Sequence, residues 1–462
     1  PRIQEIVEET DIEIEAPPQS EIKEDLPWLL SIGSSVTMAA SSLMMGWNVG
    51  SGLISGNRTI LDVLPQIVMC LAMIFGSMIM PRIISSYQKK LAKAKEEKRI
   101  TKFNAYLDEK EKNIQLILKK QAQIMRDNSL SATNCKAIAL SSSNRNFWSR
   151  EITDEDFLSI RLGIGCIDSP IKINAPKERF TLEEDGLLER VLSIAEKYKK
   201  LDNVPINISL LEKNISAFIC NDKIIDLYLN SILLQLITLH SGADLKLVIF
   251  TNETNSYKWE FAKFLPHCWN EDKTVRFFAT TNEEAKYISN TLEEEFKNRK
   301  AALEGKNKDD YSNIKREDEY KNFETYYLII CDNYKNNLGI PIIDNILKNK
   351  DINYGFSFTI FTNTLKNLPA QCNTFIEIGD KDGCILERNI SSKNQQFLIE
   401  YDSSIDLRAI SNSLLNIPIL SKEGLAVLPT SLSFLDMYGV SKIEQLNILN
   451  RWKTNNPVNS LS

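Results

Sequence analysis

The segment Tyr326-Tyr-Leu-Ile-Ile-Cys331, followed by Asp332, decides the fold class of this chain. A short, continuously apolar run between charged helical segments is typical of a strand buried on both faces, as in parallel sheets covered by helices. Similar runs occur at Leu245–Phe250, at residues 357–362 and at Thr374–Ile378. The pattern therefore predicts an α/β fold with a mainly parallel sheet.

The segments around these runs complete the predicted order of elements. A strand at residues 216–219 precedes a helix from about Lys223 to Leu239, and a second helix follows Asn282, a good N-cap with an acidic first turn. Further strands are predicted at residues 147–148, 157–162, 275–279 and 396–399, a helix at residues 184–201, and turns at Gly163 and Gly165. This order indicates a RecA-like, P-loop NTPase-like domain.

The segment between the strand at residues 216–219 and the following helix, where a phosphate loop would lie, lacks the residues that bind phosphate. A phosphate loop needs the pattern G-x-x-x-x-G-K-[ST], because glycines let backbone N–H groups surround the phosphates and the lysine reaches the terminal phosphate. Here only Cys220, Asn221 and Asp222 separate the strand from the helix that begins near Lys223. The loop is too short for phosphates, and Asp222 would repel them.

A second nucleotide-binding motif is half present. Asp332 follows its apolar strand as the acid of a Walker B motif does, but Asn333 stands where a catalytic glutamate would activate water. An apolar strand that ends in Asp is common in α/β proteins. We therefore predict a degenerate nucleotide site with no catalytic residue, no bound cofactor and no ATP hydrolysis by this chain.

Two uncharged stretches near the start, residues 26–47 and 63–81, have the length of membrane-spanning helices. The alternative is a pair of buried helices of a globular domain. Basic residues follow the second stretch, which predicts a two-pass membrane protein with both termini in the cytoplasm. Residues 85–128 contain no Pro or Gly and predict a long stalk helix, which we expect to pack on the next domain rather than form a coiled coil.

Composition excludes several other classes of site. The net charge is −6 and the pI about 5.4, which argues against a nucleic-acid partner. Eight scattered cysteines form no C-x-x-C pair, and there are only two histidines, so no metal site is expected. The aromatic segment that contains Trp259 and His267 is interpreted as a structural corner, with a ligand or peptide pocket as the alternative.

These features predict a division of the chain into six parts. They are an acidic linker (1–25), a transmembrane pair (26–84), a stalk helix (85–130), a small α+β segment that packs on the next domain (131–204), a degenerate ATPase-like domain (205–415), and a last segment (416–462).

Several motifs resemble one family. They are Phe157-Leu-Ser-Ile-Arg-Leu-Gly163, Leu234-Gln-Leu-Ile-Thr-Leu-His240, the Trp259 to His267 cluster, and Phe434-Leu-Asp-Met-Tyr-Gly439 with residues 447–452. In this order they are similar to the membrane ATPases of type VII secretion, the EssC/YukB/EccC proteins of the FtsK/SpoIIIE family. The resemblance covers nearly the whole chain.

The resemblance implies a function that the residues alone do not. It implies an anchor in the bacterial plasma membrane, a non-hydrolysing domain, and a connector (416–462) to downstream motor modules. The domain is expected to couple or assemble these modules, which bind ATP and Mg²⁺ and export WXG-type proteins. It also implies a homo-oligomer, hexameric in the assembled system, in contact with the lipid bilayer and other secretion components. The alternatives are a fragment of an FtsK-like DNA translocase and an enzyme with an atypical nucleotide site.

Overall fold

A computed structural model describes most of the chain. The described residues are 4–18, 40–47, 50–51, 64–65, 68–69, 72–73, 75, 80–141, 144–176, 186–306, 320–332, 334–388, 390–415, 417, 419, 434–438, 443–446, 448–449 and 452. The fold divides into two compact units. Unit 1 comprises Pro1–Val7, Gln121–Asp168 and Leu201–Ser462, and unit 2 comprises Glu8–Lys120 and Ser169–Lys200.

Unit 1 is built on a ten-stranded sheet, with strands in the spatial order β4-β2-β12-β11-β10-β5-β9-β8-β6-β7. The strands are β2 (Ser159–Asp168), β4 (Lys200–Ser209), β5 (Ile215–Cys220), β6 (Leu245–Phe250), β7 (Phe278–Ala279), β8 (Tyr326–Cys331), β9 (Phe356–Thr362), β10 (Thr374–Ile378), β11 (Asp382–Glu387) and β12 (Ile390–Ile399). From β10 to β7 all neighbouring strands are parallel. On the other side of β10 the pairs β10–β11, β11–β12 and β12–β2 are antiparallel. The predicted α/β class is therefore observed, with an antiparallel extension that the sequence did not predict.

The described α-helices are α1 (Met80–Asn128), α2 (Ala132–Ser141), α3 (Gly186–Lys197), α4 (Ile225–Leu239), α5 (Asn282–Lys306), α6 (Pro341–Lys348), α7 (Leu407–Leu414) and α8 (Phe434–Met437). Five of them, α2, α4, α5, α6 and α7, cover the two faces of the sheet of unit 1. One core contains apolar side chains of α2, α4 and α7, and the other contains those of α5 and α6.

Strand β8 shows how one strand serves both cores. Leu328 and Ile330 belong to the first core, while Ile329 and Cys331 belong to the second. Because successive side chains of a strand point to opposite faces, a strand between two helical layers must be apolar at every position. This requirement explains why β8 reads as an uninterrupted apolar run.

Unit 2 contains most of α1, helix α3 and a small parallel sheet of β1 (Thr10–Glu13) and β3 (Ile171–Asn174). Within it, Glu111 of α1 bonds Lys197 at 2.7 Å and the Tyr198 hydroxyl at 2.8 Å. Leu107 and Val191 are fully buried. Helix α1 begins five residues before the predicted stalk helix and ends at the predicted residue, Asn128.

The prediction of a two-pass membrane protein is corrected. Among the helices of the described residues, none is both long and apolar enough to cross a membrane. Most of residues 26–47 and 63–81 lie outside the part that the structure describes. The expectation of two transmembrane helices, and the localisation derived from it, is therefore wrong for the described chain.

Three smaller predictions also differ from the structure. Residues 147–148 form a turn, in which Trp148 has a φ of 49°, instead of a strand. The predicted turn glycine Gly163 lies inside β2, where a Cβ atom would meet the backbone of Leu398 on β12. The predicted strand at residues 275–279 is reduced to the two residues of β7.

Candidate functional site

A cleft of about 300 Å³ opens at the carboxyl ends of the central parallel strands. It is lined by residues that follow three strands: Asp222 after β5, Asn363 after β9 and Asp332 after β8. The chain leaves β5 towards β6 and leaves β9 towards β10, so it departs in opposite directions from two neighbouring strands. Ligands of open α/β sheets bind at such a switch point, which makes this cleft the candidate site.

The turn between β5 and α4 is closed on itself. The carbonyl of Asn221 accepts hydrogen bonds from the backbone N–H groups of Ile224, at 2.9 Å, and Ile225, at 3.0 Å. The Asn363 amide donates to Asp222 Oδ1 at 2.9 Å, and Lys223 is exposed. Two of the backbone donors that a phosphate loop would direct at its ligand are therefore already used inside the turn.

Asp332 is held by donors from a different part of the chain. Its Oδ2 accepts hydrogen bonds from Thr251 Oγ1 at 2.6 Å, Asn255 Nδ2 at 3.2 Å and Trp259 Nε1 at 3.2 Å. Its Oδ1 is buried and has no hydrogen-bond partner among the described residues. Burial raises the pKa of Asp332 above its ordinary value, and the bonds from Thr251, Trp259 and Asn255 oppose that rise.

A second carboxylate of the cleft is also paired within the chain. Lys258 Nζ contacts Asp226 Oδ1, in the first turn of α4, at 2.8 Å. Lys258 is the only cationic side chain among the described residues that line the cleft, which also include Asp222 and Asp332. The lining therefore has more negative than positive groups.

These residues do not fit a magnesium-bound nucleoside triphosphate. Phosphates require free N–H donors and cationic groups, whereas this cleft offers a self-bonded turn and three aspartates. The acid that would serve as the Walker B residue already accepts three hydrogen bonds from protein donors. In the described part of the chain no three His, Cys, Asp or Glu side chains are grouped so that they could hold a metal ion.

The structure brings the predicted site residues to one end of the sheet but not into one catalytic group. Asp222 and Asp332 both line the cleft, Asn221 directs its side-chain amide to Asp380 at 3.3 Å, and Asn333 lies outside the described residues. Thr251 and Asn255 were not predicted. Thr251 directly follows β6, so the strand-end position was the one available sequence signal for it.

The aromatic segment has two separate environments. Trp259 lies at the cleft, whereas His267 is buried and its Nε2 is 2.9 Å from the His240 carbonyl oxygen. Burial lowers the pKa of His267 to about 4, so at neutral pH its ring is uncharged. The predicted structural corner therefore agrees with the buried position of His267, while Trp259 donates a hydrogen bond to Asp332.

Comparisons with known proteins place the chain in a functional context. No model of a known protein family matches the chain. It is 25% identical over 362 residues to the type VII secretion system protein EssC of Staphylococcus aureus, covering 78% of this chain and 24% of that protein. It is 23% identical over 399 residues to the ESX secretion system protein YukB of Bacillus subtilis, covering 86% of this chain and 26% of YukB.

Among solved structures, a similar chain is the cytoplasmic domain of the Thermomonospora curvata type VII secretion ATPase EccC. The TM-score is 0.41 and the identity 10%, with 66% of this chain and 36% of that chain covered. The sequence similarity is thus to type VII secretion proteins, in agreement with the resemblance found in the motifs. The chain is a homologue of EssC and YukB that spans about a quarter of their length.

Proposed function

We propose that this chain is a non-hydrolysing ATPase-like domain of a type VII secretion protein, and that it assembles or couples ATPase modules of the same system. Its homology to EssC and YukB supports the secretion context. The state of the cleft supports the non-hydrolysing role, because the β5–α4 turn uses its own N–H donors and Asp332 is held by three protein donors.

The observation that carries the proposal is the environment of Asp332. A catalytic acid of an ATPase must face its metal and nucleotide, but Asp332 Oδ2 faces Thr251, Asn255 and Trp259, and Oδ1 is buried. In this chain the acid stabilises the fold rather than a ligand.

The partners follow from the same proposal. We expect homo-oligomers, hexameric in the assembled system, with other type VII secretion components and ultimately WXG-type export substrates as partners of the larger assembly. Analytical ultracentrifugation of the chain alone and with its co-expressed secretion components tests the assembly role. A chain that stays monomeric and binds none of them contradicts it.

Phosphate release from ATP and Mg²⁺ tests the non-hydrolysing role. We expect the wild-type chain and the Asp332→Asn variant to give the same background rate, since neither has a competent site. A wild-type rate above background that falls in Asp332→Asn would contradict the proposal.

A further inference from the structure

One short segment that lines the cleft contacts three other elements of unit 1. This segment, Ser256–Lys263, is a 3-10 helix that we call the strap. Three consecutive strap residues contact three different elements. Lys258 pairs with Asp226 of α4 at 2.8 Å, Trp259 Nε1 donates to Asp332 at the end of β8, and Glu260 lies 3.7 Å from Arg408 of α7.

The strap is anchored by its buried residues. Trp259 and Ala262 are almost inaccessible to solvent, and both belong to the core that also contains Leu407, Ile410 and Leu414 of α7. Because packed interiors respond to displacement as units, a movement of Trp259 displaces its neighbours in that core. The Glu260–Arg408 pair is exposed and contributes little by itself, so packing rather than charge joins the strap to α7.

We propose that the strap is a conformational link that passes a change in the cleft to α7. A group that displaces Lys258 from Asp226, or Trp259 from Asp332, would release the strap and loosen α7. Helix α7 ends at Leu414, immediately before residues 416–462, which the family resemblance predicts to be a connector. The inference goes beyond the proposed function, since that function requires no movement within the domain.

Amide hydrogen exchange of the full chain tests the link without any nucleotide. In Lys258→Ala and in Trp259→Phe we expect exchange to accelerate about three- to tenfold in the strap and in α7 together. Trp259→Phe keeps an aromatic ring and removes the N–H donor to Asp332. Lys263→Ala is the matched control, because Lys263 is an exposed lysine at the end of the same segment.

Helix α6, on the opposite face of the sheet, serves as the internal reference for global unfolding. Faster exchange in the strap and α7, with α6 unchanged, supports the link. Faster exchange in the strap with α7 unchanged overturns it, as does equal acceleration in the Lys263→Ala control. None of these outcomes depends on nucleotide hydrolysis, so failure of the link is distinguishable from failure of the proposed function.

Discussion

The two strand ends that flank the cleft differ in how their polar groups are satisfied. At the end of β8, Asp332 is mostly buried and takes three hydrogen bonds from residues 73 to 81 positions away. At the end of β5, Asn221 and Asp222 are exposed, and the turn satisfies its own backbone within four residues. The first end thus depends on buried long-range hydrogen bonds, whereas the backbone of the second is bonded within its own turn and its long-range side-chain bonds, with Asn363 and Asp380, are exposed.

The difference separates stability from ligand binding. A buried carboxylate with several donors is costly to remove, because each donor is left without a partner in a dry environment. An exposed turn can change with little effect on the fold. The Walker B-like acid of this chain is thus explained by the network it supports, and the retained acid is no evidence for nucleotide binding.

The largest effect is expected for Asp332→Ala. Removal of the carboxylate leaves the Thr251, Asn255 and Trp259 donors unpaired, so the free energy of unfolding should fall by about 2–4 kcal/mol. Urea denaturation followed by circular dichroism measures it. Asp380→Ala is the control, because Asp380 follows β10, is an exposed carboxylate and accepts one side-chain bond, from Asn221 at the end of β5. It should change stability by less than about 0.5 kcal/mol. Equal losses in both variants would remove the distinction between the two ends.

A smaller effect is expected for Trp259→Phe. The variant removes one donor to Asp332 and part of a buried ring, which should lower the free energy of unfolding by about 1–2 kcal/mol. Trp452→Phe is the same substitution at a side chain that is 76% exposed, and it should be neutral. A neutral Trp259→Phe would mean that the network around Asp332 does not stabilise the domain.

The pH dependence of stability should report the burial of Asp332. Because its folded pKa lies above the ordinary value of 3.8, the native state keeps a proton that the unfolded chain has released. The contribution of this protonated carboxyl to the free energy of unfolding is complete below the ordinary pKa and is lost as the pH rises through the folded pKa. The urea midpoint of the wild type should therefore fall relative to that of Asp332→Asn as the pH rises through this window. A constant difference between the two proteins would contradict the assigned direction.

The smallest effect is expected at the β5–α4 turn. Asp222→Ala removes one carboxylate but leaves the Asn221 carbonyl bonded to Ile224 and Ile225. We therefore expect neither a measurable loss of stability nor a gain in affinity for ATP and Mg²⁺, by urea denaturation and calorimetry respectively. A gain in affinity would show that charge alone, and not the closed turn, excludes phosphates.

The sequence predicts the parallel strands well and the antiparallel ones poorly. The bounds of β6, β8 and β10 match the predicted ones, because strands buried on both faces are apolar at every position. Strands β4 and β11 were missed, since polar residues such as Asp202 and Asp382 interrupt their apolar pattern. Gly163 was predicted to be a turn residue, but it lies in β2, where a glycine is required because β12 approaches closely.

The candidate site is predictable from the sequence only where its residues belong to a local pattern. Asp222 and Asp332 were found because their positions after strands are local features of the sequence. The donors Thr251, Asn255 and Trp259 lie far from Asp332 along the chain, and no local pattern indicates which side chains meet across the sheet. The interpretation of Trp259 as part of a structural corner identified a buried aromatic residue but not its partner.

Calorimetric titration of the full chain with ATP and Mg²⁺ tests the central claim most directly. We predict no binding heat in the wild type, and none in Asp332→Asn, since two backbone donors of the turn after β5 are used within the turn and Asp332 is engaged by the protein. Saturable heat in the wild type that is lost in Asp332→Asn would contradict the account, because it would show that Asp332 contacts nucleotide.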